Sequence, residues 1–409
     1  MDVLEPVVQP YAWGSRSAIA EFQGRPAPAP GPEAELWMGA HPSSPSGLIR
    51  DGRRTTLDQV ITADPAAALG PACAARFGPR LSFLLKILAP EKALSIQVHP
   101  DRAQAEAGYL AENERGIPLH GRARNYVDDW PKPELLCAVT RFEALAGFRA
   151  TQDLLTLLAE LDAEPLRPVA DELAGGGDSG RLGALATVLS WSSAQQEDLQ
   201  QSVLTACARL TAGGGRYAAT CDAILRIAAD HPGDPGVVAA LLLNYSVLEP
   251  GEALYMPAGG LHAYIKGVGV EMLANSDNVL RAGLTPKHVD VPELLRLVDP
   301  SVAVPVIKPR PVGPATVVYD TPAPEFRLYR MNVTADPERA DSVRAGTVAL
   351  PHDGPRIALC VEGSVDLRNQ TGGAVALRRG ESCFLPASDG VVTAAGSAVL
   401  FVATSDCSR

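Results

Sequence analysis

The chain has 409 residues, 36 Lys and Arg against 47 Asp and Glu, a net charge of −11, and 46% hydrophobic residues with 37 Gly and 35 Pro. Domains run to roughly 100–200 residues, so this is globular composition for two or three of them. The acidic balance excludes wholesale binding to nucleic acid or to an anionic membrane, which need a positive surface, so an anionic ligand must meet a local cluster of cations.

The N-terminal stretch MDVLEPVVQPYAWGS carries Asp2 and Glu5 and has neither a basic region nor a long apolar run, so no signal peptide is expected. The most apolar run, 237–243, is far below the ~20 residues of a membrane span. Seven cysteines with no C-x-x-C spacing point to reduced thiols and a cytoplasmic protein. Residues 8 to 145 read as short β-type runs broken by Gly and Pro, with a proline-rich loop at 25–32, and 81–98 opens apolar and ends in alternation. From 150 to 243 the period becomes helical. Leu154, Leu155, Leu157, Leu158 and Leu161 share one face, Ser193 and Gln196 form a capping box, and glycine breaks fall at 175–177 and 213–215.

The β pattern returns at Ser246, is interrupted by a helix at 292–297, and continues as strands at 326–333, 357–367, 374–377 and 391–404. The phrases LEPGEALYMPAGGLHAY and LRRGESCFLPASDGVV look like versions of one hairpin. The predicted architecture is mainly β with an α insert. A first β domain is split over 1–149 and 244–310 by a helical insert at 150–243, and a second β domain occupies 311–409.

Three segments carry chemistry. In LSIQVHP, residues 94–100, an extended chain sends Leu94, Ile96 and Val98 to a core and Ser95, Gln97 and His99 to the other face. In DDWPKPELLCAV, residues 128–139, Lys132 and Glu134 share a face ahead of an apolar run, where burial requires that both find partners. The third, residues 248–288, holds His262 after a Gly-Gly turn and then Glu271, Asn275, Asp277, Arg281 and Lys287. Gln97, His99, Glu134 and His262 together offer two imidazoles, a carboxylate and an amide oxygen, a plausible ligand set for Zn²⁺ or a similar ion.

Taken in order, YAWGS, AELWMGAHP, LSIQVHP, NY followed by KPE, and PAGGLHAY through EMLANSDNVLRAGLTPK resemble the type I phosphomannose isomerases over nearly the whole chain. The resemblance implies two cupin-type jelly-roll domains with an inserted helical domain, and zinc-dependent interconversion of mannose 6-phosphate and fructose 6-phosphate through a cis-enediol. It assigns Gln97, His99, Glu134 and His262 to one Zn²⁺ per chain. Arg281, Lys132, Glu271 and Asp277 fall on catalytic positions, and Ser95, Lys86, Lys287, Trp13 and Glu35 on substrate-binding ones.

Glu271 and Asp277, raised by burial, or Lys132 and Lys86, lowered by neighbouring cations, are the candidate proton-transfer bases. Many members carry a His where Pro131 stands here, so a role for that His does not carry over. The expected partner is a small sugar phosphate, with no nucleic acid or membrane. A monomer is expected, with a dimer the alternative. A non-catalytic sugar-phosphate sensor or another metal-dependent cupin enzyme are the competing functions. His41 reads as a structural hydrogen-bonding residue, and His120, His231, His288 and His352 as surface or local-structure residues. Trp37 and Tyr255 read as core, Lys92 and Lys266 as solvent-facing, and the last domain as metal-free.

Overall fold

The computed structural model describes residues 1–191, 193–334, 347–352 and 354–407, apart from the side chains of 193–195. The split β domain is two facing sheets. One runs Leu243–Leu248, Phe142–Phe148, His262–Lys266, Gln97–Val98, Leu280–Arg281. The other runs Val306–Ile307, Ala253–Met256, Glu134–Ala138, Gly269–Ala274, Phe83–Leu88, Glu35–Met38, Val7–Gln9. Leu88, Leu136, Leu254 and Met256 of the second sheet pack with Phe142, Ala144, Ala146 and Tyr264 of the first to fill the space between them.

The second sheet is buried on its outer face too, where Phe83, Leu85, Leu135 and Met272 meet Phe326, Leu328, Ile357 and Leu359 of the C-terminal domain. This is why Phe83–Leu88 reads as an unbroken apolar run with one Lys: both faces are covered. The outer face of the first sheet is covered by the insert, whose helices Thr151–Leu161, Arg167–Ala174, Gly177–Ser190, Ser193–Gly213 and Ala218–Asp230 share a core with Ile96, Val98, Ala263 and Ile265. The leucine stripe of 154–161 lies in that core and both glycine breaks separate helices. Ser193 of the expected capping box lies outside the described side chains, and Gln196 Nε2 donates to the Trp191 carbonyl at 2.9 Å.

The C-terminal strands fall close to their expected places, including Arg327–Val333, Arg356–Asn369, Ala374–Arg378 and Val392–Thr404. Their sheet continues through Asp2–Glu5 and Gly47–Arg50, so the two ends of the chain share one sheet.

Four expectations are corrected. The two matching phrases are not hairpins: Ala253–Met256 and His262–Lys266 enter opposite sheets, and Ala374–Arg378 and Ser382–Leu385 both pair with Arg356–Asn369. Leu94 packs between the sheets rather than with Ile96 and Val98, because regular pairing covers only Gln97–Val98 of that segment. The first 145 residues hold helices as well as strands, including Leu57–Ala63 and Arg102–Glu114. Finally, Cys73 and Cys407 form a disulfide, while Cys137, Cys207, Cys221, Cys360 and Cys383 are buried free thiols. Among the described residues, no helix is long and apolar enough to cross a membrane.

Candidate metal centre and active site

Strand register brings the four proposed ligands together. Gln97 lies opposite His262 on one side and opposite Arg281 on the other, and residues opposite one another in a ladder project to the same face. Glu134, at the head of its strand on the facing sheet, reaches across, with Oε1 3.3 Å from His99 Nε2 and Oε2 3.2 Å from His262 Nε2. The ligating atoms of His99, Glu134 and His262 lie within 4.8 Å of one another, and all three residues are buried.

Both imidazoles are oriented from behind. His99 Nδ1 donates to the Asn278 carbonyl at 2.8 Å and His262 Nδ1 to the Gly260 carbonyl at 3.2 Å, which leaves each Nε2 as a lone pair aimed at the carboxylate. Among the described residues, the buried His99 Nε2 has no hydrogen-bond partner. Burial draws its pKa down to about 4 against the pull of Glu134, so the ring is neutral, while the Glu134 carboxyl, despite its burial, is held well below the usual range with the Lys132 ammonium 3.3 Å away. Two lone pairs and an ionised carboxylate facing each other in a dry site repel unless a cation sits among them. The residues present therefore fit a divalent metal, with Gln97 beside them as a further oxygen donor.

Next to the cage, Trp37, Lys86 and Glu271 are directly opposite one another across three strands. Lys86 Nζ sits 3.3 Å from Glu35, 3.4 Å from Glu271 and 4.9 Å from the centre of the Trp37 ring. The Trp37 indole donates to Glu35 at 2.5 Å. Burial pulls the Lys86 pKa down, but Glu35 and Glu271 outweigh it and raise the value, which corrects the expectation of a lowered Lys86. Glu271 is pushed up to about 7 by its burial and by Glu134 and Glu35, against Lys86. Asp277 does the opposite of what was expected: burial raises it, yet the hydrogen bond from His41, with the charges of Lys132 and Lys86, brings it below the usual range. Lys132 is 3.3 Å from Glu134.

Arg281 and Lys287 differ from these buried, paired lysines. Neither forms an ion pair with any described residue, and the pKa of each is lowered, Arg281's by burial and Lys287's by burial and by Arg281 itself. Ser95 and Trp13 are half-buried, and Trp13 stacks on Tyr11 at 5.8 Å.

Several contributors were missed. His41 Nε2 lies 3.3 Å from Asp277, and because the Ser43 N–H donates to Nδ1, the ε nitrogen carries the proton. Tyr264 shares a strand face with His262, its ring 5.6 Å away, and its buried hydroxyl is raised well above the ordinary pKa by burial and by Glu271 and Glu134. The period-2 spacing of H-A-Y was the available signal. Asn278 and Asp128 tie the segment before Lys132 to the turn at 276–278, through bonds of Asn278 to Val127, Asp128 and Trp130 and of Asp128 to Ser276 and Asp277. No spacing in the sequence announces them. Pro131 is buried beside Trp130, which is flanked by Phe77 and Arg80.

Comparison with known proteins agrees with this geometry. Residues 1–151 match the family model for the catalytic domain of type I phosphomannose isomerase. The chain is 36% identical over 400 residues to the mannose-6-phosphate isomerase of Salmonella typhimurium, covering 95% of this chain and 96% of that protein. It is 34% identical over 428 residues to that of Bos taurus, covering 95% and 94%. Among solved structures, the Salmonella typhimurium enzyme bound to its substrate F6P and zinc superposes with a TM-score of 0.88 at 34% identity, with 99% of each chain covered. A zinc-bound mannose 6-phosphate isomerase gives the same values. Agreement of this kind from one end of the chain to the other leaves one conclusion, that the chain belongs to the type I phosphomannose isomerase family.

Proposed function

We propose that this chain interconverts mannose 6-phosphate and fructose 6-phosphate with zinc held by Gln97, His99, Glu134 and His262. The observation that carries the reading is the orphaned Nε2 of His99 converging with Glu134 and His262, on the sheet whose next strand presents the unpaired Arg281. One site thus offers a metal position and a free cation for a phosphate.

The reaction moves a proton between C2 of the aldose and C1 of the ketose through a cis-enediol, and its obstacle is the weak acidity of a C–H bond beside a carbonyl. Zinc supplies Lewis acidity toward the sugar's carbonyl and hydroxyl oxygens. Glu271 is the residue to take the proton from one carbon and return it to the other, because a carboxyl poised near neutral pH serves in both directions. Lys86, held protonated by Glu35 and Glu271, is a fixed cation that favours the ionised form of that base. Lys132 adds positive charge on the side of the developing enediolate.

Arg281 and Lys287 take the phosphate, which as a dianion is best met by cations not already committed to carboxylates. The Ser95 hydroxyl adds a donor, Trp13 with Tyr11 forms an aromatic wall, and Asp277, kept ionised by His41, accepts from a sugar hydroxyl. A coupled assay with mannose 6-phosphate, glucose 6-phosphate and free mannose tests the reading. Zinc-dependent turnover is expected to be fast with the first, slow with free mannose and absent with glucose 6-phosphate, and equal turnover of free mannose would refute the phosphate requirement.

A further inference from the structure

The insert does more than cover a sheet. Its turn at 231–234, His-Pro-Gly-Asp, closes with the Asp234 N–H on the His231 carbonyl at 3.2 Å, with Pro232 fixing one corner and Gly233 taking φ +77° at the next. Gln200 holds the turn from the insert side: its Nε2 donates to the Asp234 carbonyl at 2.6 Å and its Oε1 accepts from Gly233 N at 3.1 Å. On the other side the turn grips the catalytic domain. His231 Nε2 meets the Ala93 carbonyl at 2.9 Å. Asp234 Oδ1 accepts from the backbone of Gly236 and of Leu284, each at 2.7 Å, and Oδ2 from Thr285 N at 2.9 Å.

Leu284 and Thr285 belong to the loop that leaves the strand end at Arg281 and carries Lys287, and the Thr285 hydroxyl accepts from Lys287 N at 3.1 Å. Two further features show that the loop is built to be gripped. Leu284 adopts φ +56°, a conformation costly for a branched side chain, which persists where surroundings over-determine it. A Cβ on Gly236 would lie 2.5 Å from Leu284 N, and one on Gly283 2.5 Å from the Gly236 Cα, so only a glycine at both positions lets the two backbones meet. The far side of the loop is pinned to the metal-binding segment by Ala282 N on the Ile96 carbonyl at 2.9 Å and Ile96 N on the Gly283 carbonyl at 3.1 Å.

We infer that Asp234 is a positioning residue for the phosphate: the carboxylate of the insert sets the loop that holds the Arg281–Lys287 cation pair at a fixed place relative to the metal ligands. This rests on the assignment of that pair to phosphate. Asp234 touches neither substrate nor metal, so its loss acts on binding rather than on proton transfer.

The test uses the full-length, zinc-loaded chain, with inorganic phosphate as competitive inhibitor. In Asp234→Ala, KM for mannose 6-phosphate and Ki for phosphate both rise about tenfold or more, from the loss of three hydrogen bonds, while kcat and zinc content stay near the parent values. Asp234→Asn, whose amide oxygen can still accept from Gly236 and Leu284, recovers most of the loss. Unchanged KM and Ki in a folded Asp234→Ala protein overturn the proposal. Should that variant not fold, Gln200→Ala loosens the turn from behind and raises both constants about threefold; no rise there overturns it equally. Lys287→Ala separates two failures. A raised Ki in Lys287→Ala beside an unchanged Ki in Asp234→Ala rejects the positioning role alone, whereas an unchanged Ki in both rejects the phosphate assignment beneath it.

Discussion

His99 donates its Nδ1 proton to the backbone carbonyl of Asn278 at 2.8 Å, and so the residue that aims one metal ligand is also the one that knits two active-site segments together. The Asn278 side chain accepts from Val127 N and donates to the carbonyls of Asp128 and Trp130, which fixes the approach to Lys132 and Glu134. Asn278→Ala keeps the carbonyl but frees the turn that carries it. Zinc affinity, read by competition with a chelator, should fall about 10–100-fold, as when the hydrogen-bonded supports of a metal ligand are removed. Affinity equal to the parent's would show that His99 needs no such support.

The Glu271 carboxyl lies at about 7 without a metal, and a divalent cation nearby favours its ionised form and draws it lower. A base works deprotonated, so kcat/KM should fall as pH drops through a midpoint at or below about 7. Glu271→Gln should remove that acid limb, lower kcat by roughly 10²-fold or more and abolish exchange of the C2 proton with deuterated solvent. Retained exchange in the variant would hand the proton step to another group.

Arg281 is a cation without a carboxylate partner among the described residues, unlike Lys86 and Lys132. Truncation to Ala should raise KM for mannose 6-phosphate about 10–100-fold, the worth of charge-assisted hydrogen bonds to a dianion, and leave the slow turnover of free mannose unaffected. An equal loss on both sugars would move Arg281 from the phosphate to the reacting carbons.

Asp277 is held ionised by His41, whose Nε2–H points at its carboxylate. Removing the ring takes away a lowering influence while burial, which raises the value, stays. The Asp277 carboxyl ¹³C resonance, assigned by its absence in Asp277→Asn, should therefore titrate at higher pH in His41→Ala than in the parent. An unmoved midpoint would detach His41 from the site.

Much of this was legible in the residues. Alternation in LSIQVHP set Gln97 and His99 on the face opposite Ile96 and Val98, although Leu94 departs from the pattern, and the leucine stripe of 154–161 announced the insert. The terminal strands were readable from their Gly and Pro turns. Long-range pairings were not. Cys73 and Cys407 are 334 residues apart, and nothing in their spacing sets them apart from the five free thiols. The direction of the Lys86 and Asp277 shifts depended on Glu35 and His41, which a sequence places in a block but not at a distance. The helix Arg102–Glu114 carried its own signal, a reciprocal Asp101–Gln104 capping box, overlooked beside the β-type runs around it.

The chain holds only six lysines against 30 arginines. Of the six, Lys86 and Lys132 are buried beside carboxylates of the site, where a compact ammonium fits, while Lys92, Lys266 and Lys308 make only outer ion pairs.

The central claim is that a metal held by Gln97, His99, Glu134 and His262 is required for isomerisation of mannose 6-phosphate. The most direct measurement is the coupled isomerase rate of protein stripped of metal and then titrated with zinc. No rate above background is expected in the stripped protein, with full recovery at one zinc per chain. A stripped protein that turns over mannose 6-phosphate at the full rate would contradict it.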